Sequence, residues 1–254
     1  MKLIFNKLAK YIKTNGLYET IKKILSYPFE IVIYRLHLHK INKLNSNSLK
    51  FKYIYDKNIW SSEESVSGIG STLKYTKKLR DHLPDFFKKY EIKSILDAPC
   101  GDFNWMQKVL EDCDLTYLGG DIVDNLIHKL NSEYSNEKIR FINLDICKDD
   151  LPDVDLIFVR DCLFHLSNDD IKRFIQNFQR SNIKYLFTTS HKNNNFFENK
   201  DVVTGSFRRI DLFSAPYSFS KNFIEEIEDY IQPYPERSMY LWEKNDLLTD
   251  NFSL

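Results

Sequence analysis

This chain of 254 residues has little cysteine, little glycine and no net charge. Its four cysteines, Cys100, Cys113, Cys147 and Cys162, form no C-x-x-C pair and none stands at metal-ligand spacing from a histidine. That pattern excludes a disulfide-stapled scaffold and a zinc module, and it fits a reducing, cytoplasmic setting. Lys+Arg and Asp+Glu both number 36, so the formal net charge is zero, which argues against a dedicated nucleic-acid binder. Long apolar runs are missing. The longest, about residues 31–38, is broken by Arg35 and His37 and falls far short of the roughly 20 residues a membrane span needs. Met1–Phe5 is too short an apolar run for a signal peptide. With only seven glycines, no G-x-G-x-x-G occurs, so the fingerprint required of an oxidoreductase or epimerase on a dinucleotide fold is absent.

Charge is unevenly spread. About the first fifty residues carry an excess of Lys and Arg over Glu19 and Glu30 alone. Apolar residues recur there at helical spacing (Leu3, Phe5, Leu8, Ile12, then Leu17, Ile21, Ile24, Leu25), divided by Gly16 and Pro28. A basic amphipathic stretch of this kind either lies on an anionic membrane surface as a peripheral contact or packs on the domain or on a second copy in a homodimer. Asn45–Ser48 reads as a linker. The expected organisation is an N-terminal helical extension over 1–60 and one α/β domain over 61–254.

Within that domain, Ser71 or Thr72 is placed to cap a helix through Leu73, Leu79 and Leu83. Short apolar strands then alternate with helical patterns: strands at 94–97, 115–121, 139–144, 154–160 and 185–190, with a helix starting at Ser167 and its acidic first turn. The alternation predicts a doubly wound, mostly parallel sheet. The polar, aromatic stretch from His191 to Tyr217 breaks the rhythm and reads as a binding insertion of about 191–220. A helix is expected around 222–227, and 229–232 with 238–243 is expected to form a closing antiparallel pair across Pro233 and Pro235.

Three strand ends carry the chemistry. The first reads Asp97-Ala98-Pro99-Cys100-Gly101-Asp102-Phe103-Asn104-Trp105, the second Gly119-Gly120-Asp121-Ile122 and the third Asn143-Leu144-Asp145-Ile146. Carboxylates at the C-terminal ends of successive parallel strands mark the crevice where open α/β sheets bind ligands. On these segments, and on Val159-Arg160-Asp161-Cys162-Leu163-Phe164-His165, the chain resembles the class I S-adenosylmethionine-dependent methyltransferases over roughly residues 65–245. The form D-x-P-C-G-D-F-x-W with V-R-D-C-L-F-H is similar to a bacterial subgroup associated with capsule and lipopolysaccharide biosynthesis. The resemblance implies a Rossmann-like seven-stranded sheet, S-adenosylmethionine as cofactor and methyl transfer to an oxygen of a sugar or phosphate-bearing glycan precursor. It places Asp97 and its turn near the methionine ammonium, Asp121 on the ribose hydroxyls, and Asp145 with the Ile146 amide on the adenine edge. Gly101, Asp102, Trp105, Ile122 and Arg160 complete the expected cofactor set. Ser71, with Ser67, Gly68 and Gly70, forms a small-residue loop suited to the methionine carboxylate, with Arg80 a second candidate.

Transfer to a hydroxyl also needs a base, and histidine titrates in the useful range. His191 and His165 are the candidates, with Asp161 as orienter or acceptor-binding carboxylate. The same three residues are of types that hold a divalent cation, although nothing in their spacing requires one. Arg208, Arg209 and Asp211 are candidates for acceptor recognition, guanidinium groups being suited to phosphate, and Tyr217 and Phe213 either stack on a sugar or pack the insertion. A non-catalytic binding module on the same fold is the reading from another functional class.

Overall fold

The unbroken apolar runs of the middle of the chain become its central strands. The structure, a computed structural model, describes Gly16 and residues 28–60, 62–193 and 197–248. The chain divides into two compact units, Met1–Leu44 and Asn45–Leu254. In the first, residues 28–42 are helical. The apolar positions from Leu3 to Leu25, and with them the membrane and dimer readings, lie outside the described residues. Among the described residues no helix is long and apolar enough to cross a membrane.

The second unit contains strands β1 (Ser94–Asp97), β2 (Thr116–Asp121), β3 (Ile139–Asn143), β4 (Leu156–Val159), β5 (Tyr185–His191), β6 (Glu225–Glu228) and β7 (Arg237–Glu243). Its helices are α1 (Asn47–Asp56), α2 (Leu73–Lys89), α3 (Met106–Leu110), α4 (Asp124–Tyr134) and α5 (Asn168–Arg180). The strands form one sheet in the order β3-β2-β1-β4-β5-β7-β6. Strands β1 to β5 pair in parallel, and β7 is antiparallel to both β5 and β6. The insertion of an antiparallel β7 beside β5 separates this sheet from the dinucleotide order, in which the sixth strand follows the fifth.

Alternate residues of each central strand feed opposite faces, as a period of two requires. Leu96, Ile157, Val159 and Leu186 join a core with Ile171, Phe174, Ile175 and Phe178 of α5. Ile95, Leu156, Phe158 and Phe187 join the other, with Leu79, Leu83 and Phe86 of α2, Val109 of α3 and Leu126 and Leu130 of α4. Both faces are therefore covered, which is why β4 is buried at all four positions. Thr72 caps α2 by accepting from Tyr75 N, and Ser167 caps α5 by accepting from Asp170 N.

Three expectations are corrected. Asn45–Ser48 is not a linker: Ser46 Oγ accepts from Leu49 N at 3.2 Å and caps α1, so the compact α/β unit starts at Asn45 and not at 61. The expected helix at 222–227 is strand β6, because Ile227 alone points inward between exposed and half-exposed glutamates. β6 supplies the partner of β7, so the pairing starts before the expected 229–232 segment. The described residues between His191 and Tyr217 have the expected irregular backbone after β5 but form no free lid, since Ile210, Leu212 and Tyr217 are fully buried in the α5-side core.

Candidate active site

The sheet register brings the strand ends into one crevice. Asp97 pairs with Gly119 and with Phe158, and Asp121 pairs with Asn143. Asp97, Asp121, Asp145 and Asp161 all line the resulting cleft, with Gly101, Trp105, Ile122, Ile146, Arg160, His165 and Ser71. The other wall comes from α1 and the residues after it, Phe51 and Trp60 among them. That wall went unread in the sequence, where α1 was assigned to the extension.

The acids differ in what holds them. Asp97 is buried, and its carboxylate accepts from Tyr117 Oη at 2.8 Å. Burial pushes its pKa up to about 7, against the pull of Tyr117 and Arg160. Burial likewise raises Asp121 to about 6, opposed by backbone amides. The Asp121 oxygens accept from Gly101 N at 3.2 Å and Val123 N at 3.0 Å. A carboxylate has about four lone-pair sites, and with the Ile122 amide also donating Asp121 retains capacity for a further donor. Asp145 Oδ1 accepts from Cys147 N at 3.0 Å, and Lys148 stands 3.2 Å from Oδ2.

Asp102 has a different place. Its Oδ2 accepts from Ser65 Oγ at 2.8 Å and Val66 N at 2.9 Å, and its own N–H donates to Ser67 Oγ at 2.9 Å. Asp102 therefore ties the 65–67 loop to the first strand turn and is not among the cleft-lining residues. Gly101 is needed for the same junction: its φ is +56° and a Cβ there would lie 2.4 Å from Ser67 Oγ. Within the protein, the close approach at this glycine is to Ser67. Arg80 donates Nη2 to Leu73 O of its own helix at 2.9 Å, its Nε is buried without a partner among the described residues, and it is not among the cleft-lining residues.

At the end of β4 lies a buried ion network whose outer members were not anticipated. Arg160 donates Nε and Nη2 to the two oxygens of Asp229 at 2.9 and 3.0 Å, and Nη2 to Gly70 O at 2.8 Å. Arg237 donates Nη2 to Asp161 Oδ2 at 2.8 Å and Nε to Asp229 O at 2.8 Å. Burial opposes ionisation of Asp161, but the Arg160 and Arg237 guanidiniums outweigh it and hold its carboxyl below the usual range. Asp161 has φ +54°, a left-handed backbone that is uncommon outside glycine. Its Oδ1 is buried and has no hydrogen-bond partner among the described residues. A Cβ on Gly70 would meet Asp161 Oδ2 at 2.7 Å, so the glycine of the small-residue loop lets that loop seat on the network. The signals for Asp229 and Arg237 were faint: a lone acid after a glutamate-rich strand and a lone cation before an apolar one.

The two histidines separate clearly. His165 lines the cleft, and its ring stacks on Trp60 at 4.4 Å between centroids. Its Nδ1 lies 2.8 Å from Ser206 O. A carbonyl only accepts, so Nδ1 carries the proton and Nε2 keeps its lone pair. Burial pushes the imidazolium pKa down to about 4. His191 is buried outside the cleft, edge-on to Phe164, and its Nδ1 accepts from Ile210 N at 3.3 Å. The expectation of His191 as base is corrected, because that lone pair is already used. The cation reading loses its ligand set for the same reason. Among the described residues no group of three or more His, Cys, Asp or Glu is placed to hold a metal ion.

The acceptor candidates are also sorted. Tyr217 is fully buried and cannot stack on a ligand; its Oη donates to Asn168 Oδ1 at 2.6 Å. Asp211 closes its own turn, accepting from Phe213 N and Ser214 Oγ, and Phe213 packs against Tyr240. Arg208 is buried beneath the insertion, and Arg209 is exposed.

Residues 95–182 match a family profile described as a methyltransferase domain. Among solved structures, a SAM-dependent methyltransferase from Leishmania major is similar at TM-score 0.57 and 17% identity, over 78% of this chain and 86% of that one. Magnesium protoporphyrin IX methyltransferase from Synechocystis PCC 6803 with bound SAM is similar at TM-score 0.54 and 10% identity, over 78% of this chain and 98% of that one. No curated protein matches the sequence. The sheet order gives this unit the Rossmann-like fold of the class I methyltransferases, and residues 95–182 carry the methyltransferase-domain profile. S-adenosylmethionine is bound in the Synechocystis structure, and the cleft of this chain fits that molecule chemically. Carboxylates on its floor suit an ammonium and ribose hydroxyls, and Ile122, Val123, Leu126 and Ile146 offer an apolar wall to a base.

A pH dependence follows from Asp97. Its folded pKa of about 7 exceeds the unfolded value of about 3.9, so the folded chain holds the proton longer and the contribution of Asp97 to stability falls as pH rises from about 4 to about 7. The same ionisation creates a charge in the cleft that suits an ammonium. Affinity for S-adenosylhomocysteine is therefore expected to rise about tenfold across the upper part of that window, one factor of ten being 1.4 kcal/mol. Calorimetry over pH checks this, and Asp97→Asn should flatten both the stability and the affinity profiles.

Proposed function

We propose that the chain transfers a methyl group from S-adenosylmethionine to a hydroxyl oxygen of a sugar or phosphate-bearing precursor of a surface glycan, with His165 as the base. The cofactor supplies an electrophilic methyl on a sulfonium, so the protein chiefly positions the nucleophile and removes its proton. The observation that carries the reading is the tautomer of His165: with Nδ1–H committed to Ser206 O, an unprotonated Nε2 stands at the wall of the cleft. Asp161 Oδ1, unpartnered beside it, accepts a second hydrogen bond from the acceptor and so orients it. Trp60 and Phe207 flank the His165 ring at 4.4 and 5.9 Å, a pair of apolar faces suited to the C–H face of a sugar and to excluding water. Support for the glycan class comes from the D-x-P-C-G-D-F-x-W and V-R-D-C-L-F-H segments and their likeness to the polysaccharide-associated subgroup.

The test is incubation with carbon-13 methyl-labelled S-adenosylmethionine and a panel of nucleotide sugars, sugar phosphates and amine-bearing analogues. Label should appear in a methyl ether by NMR. Label appearing only on nitrogen would overturn the oxygen assignment.

A further inference from the structure

Arg208 is only 7% exposed. Its Nη2 donates to Tyr217 Oη at 2.7 Å and to Asn168 Oδ1 at 3.4 Å. Its Nε and Nη1 are buried and have no hydrogen-bond partner among the described residues. Asp201 Oδ1 stands 3.7 Å from Nη1, an ion-pair distance too long for a hydrogen bond. Buried donors without acceptors are costly, and more so on a charged group. Arg208 also lines a surface depression with Phe197, Glu198, Lys200 and Arg209. Lys200 and Arg209 are exposed there, and the Arg209 guanidinium lies over the Phe197 ring at 5.6 Å. Three cations and one carboxylate, Glu198, thus line the depression, and Asp201 approaches Arg208 alone.

The depression adjoins the acceptor end of the cleft. Arg208 N donates to Phe164 O at 3.2 Å and Gly205 N to His165 O at 2.8 Å. Residues 205–208 therefore run alongside the segment that carries the base, and half-exposed Phe207, two positions before Arg209, has its ring 5.9 Å from that of His165. We infer that the depression is a phosphoryl subsite, formed by Arg208, Arg209 and Lys200, which holds a phosphate carried by the methyl acceptor. A phosphoryl group presents several acceptor oxygens in different directions and suits donors on three separate side chains, whereas a carboxylate presents two in one plane. The inference rests on the proposal that the His165 end receives the acceptor.

Calorimetric titration of the full chain with uridine monophosphate, glucose phosphate and inorganic phosphate, with and without S-adenosylhomocysteine, tests it. At least one ester should bind about tenfold more tightly than inorganic phosphate, since the rest of the molecule meets Phe207 and the cleft wall. The double variant Lys200→Gln/Arg209→Gln removes only exposed groups. It should weaken ester binding about tenfold, the loss of charge-assisted contacts, and leave affinity for S-adenosylhomocysteine unchanged. Unchanged ester affinity in that variant, absence of ester binding, or inorganic phosphate binding as tightly as both esters overturns the subsite. Failure of the unmodified chain to bind S-adenosylhomocysteine would instead sink the cofactor reading, and the phosphate titrations without it would still report on the subsite.

Discussion

Asp229→Ala is expected to destabilise the α/β unit by about 3–5 kcal/mol, the usual consequence of removing one partner from a buried ion pair. Asp229 is 1% exposed and is the shared acceptor of the network. Its side chain takes both forks of Arg160, and Oδ2 lies 3.4 Å from Arg237 Nη2. Without it, two guanidiniums that are 4% and 9% exposed have only Asp161 as counter-charge. Stacking over Tyr75 and Trp105, at 4.9 and 5.3 Å, is worth about 0.5–2 kcal/mol per contact and does not offset a stranded charge. In thermal unfolding the loss corresponds to roughly 6–20 °C for a domain of this size. Asp229→Asn keeps acceptor capacity for one guanidinium N–H but not the charge, and should fall between the two. A second readout separates positioning from plain destabilisation. Arg160 Nη2 holds Gly70 O, so the loop carrying Ser67 and Ser71 at the cleft loosens with it. Affinity for S-adenosylhomocysteine should drop in Asp229→Ala at temperatures where it remains folded. A stability change below about 1 kcal/mol, the range of solvated surface pairs, would show that water reaches the network.

The parts of this architecture that could be read in advance are those where one local pattern decides the outcome. β4 is an apolar run buried at every position, and α2 and α5 announce themselves by caps and by apolar residues at helical spacing. The acids of the cleft were legible because a strand ending in Asp before a turn leaves the carboxylate at the sheet's edge, whatever the rest of the chain does. What escaped were contacts between distant segments. β6 carries three glutamates and a single inward Ile227, a pattern that only its pairing with β7 turns into a strand. α1 and Trp60 looked like part of a basic arm because their burial depends on the cleft they cover. Asp102 looked like a ligand-binding acid because it follows Gly101, yet Ser65 and Val66, more than thirty residues earlier in the chain, claim it. Choosing between His165 and His191 likewise required knowing that Ser206 and Ile210 come round to meet them.

His165→Gln is expected to cut methyl transfer by roughly 10²-fold, toward the lower end of the 10²–10⁴ range for loss of a general base, while affinity for S-adenosylhomocysteine stays within about twofold. The lower end is expected for a physical reason. A base whose conjugate acid has a pKa of about 4 remains unprotonated throughout the neutral range, but it draws a proton less strongly than one tuned near 7. Two features raise its effectiveness in place. The Ser206 carbonyl stabilises the Nδ1–H of the imidazolium as it forms, and the Asp161 carboxylate favours the charged ring electrostatically. The transfer rate should accordingly be independent of pH above about 5 as far as His165 is concerned, and decline as the pH falls through about 4, where Nε2 becomes protonated. Gln preserves a donor for Ser206 O but offers no basic nitrogen, so the substitution removes proton transfer with little change of shape. His191→Gln provides the contrast: it disturbs a buried contact with the Ile210 amide and should lower stability without changing turnover per folded molecule. If the two substitutions exchanged these effects, the cleft's acceptor wall would have to be redrawn around β5, and Trp60 would lose its place beside the reacting oxygen.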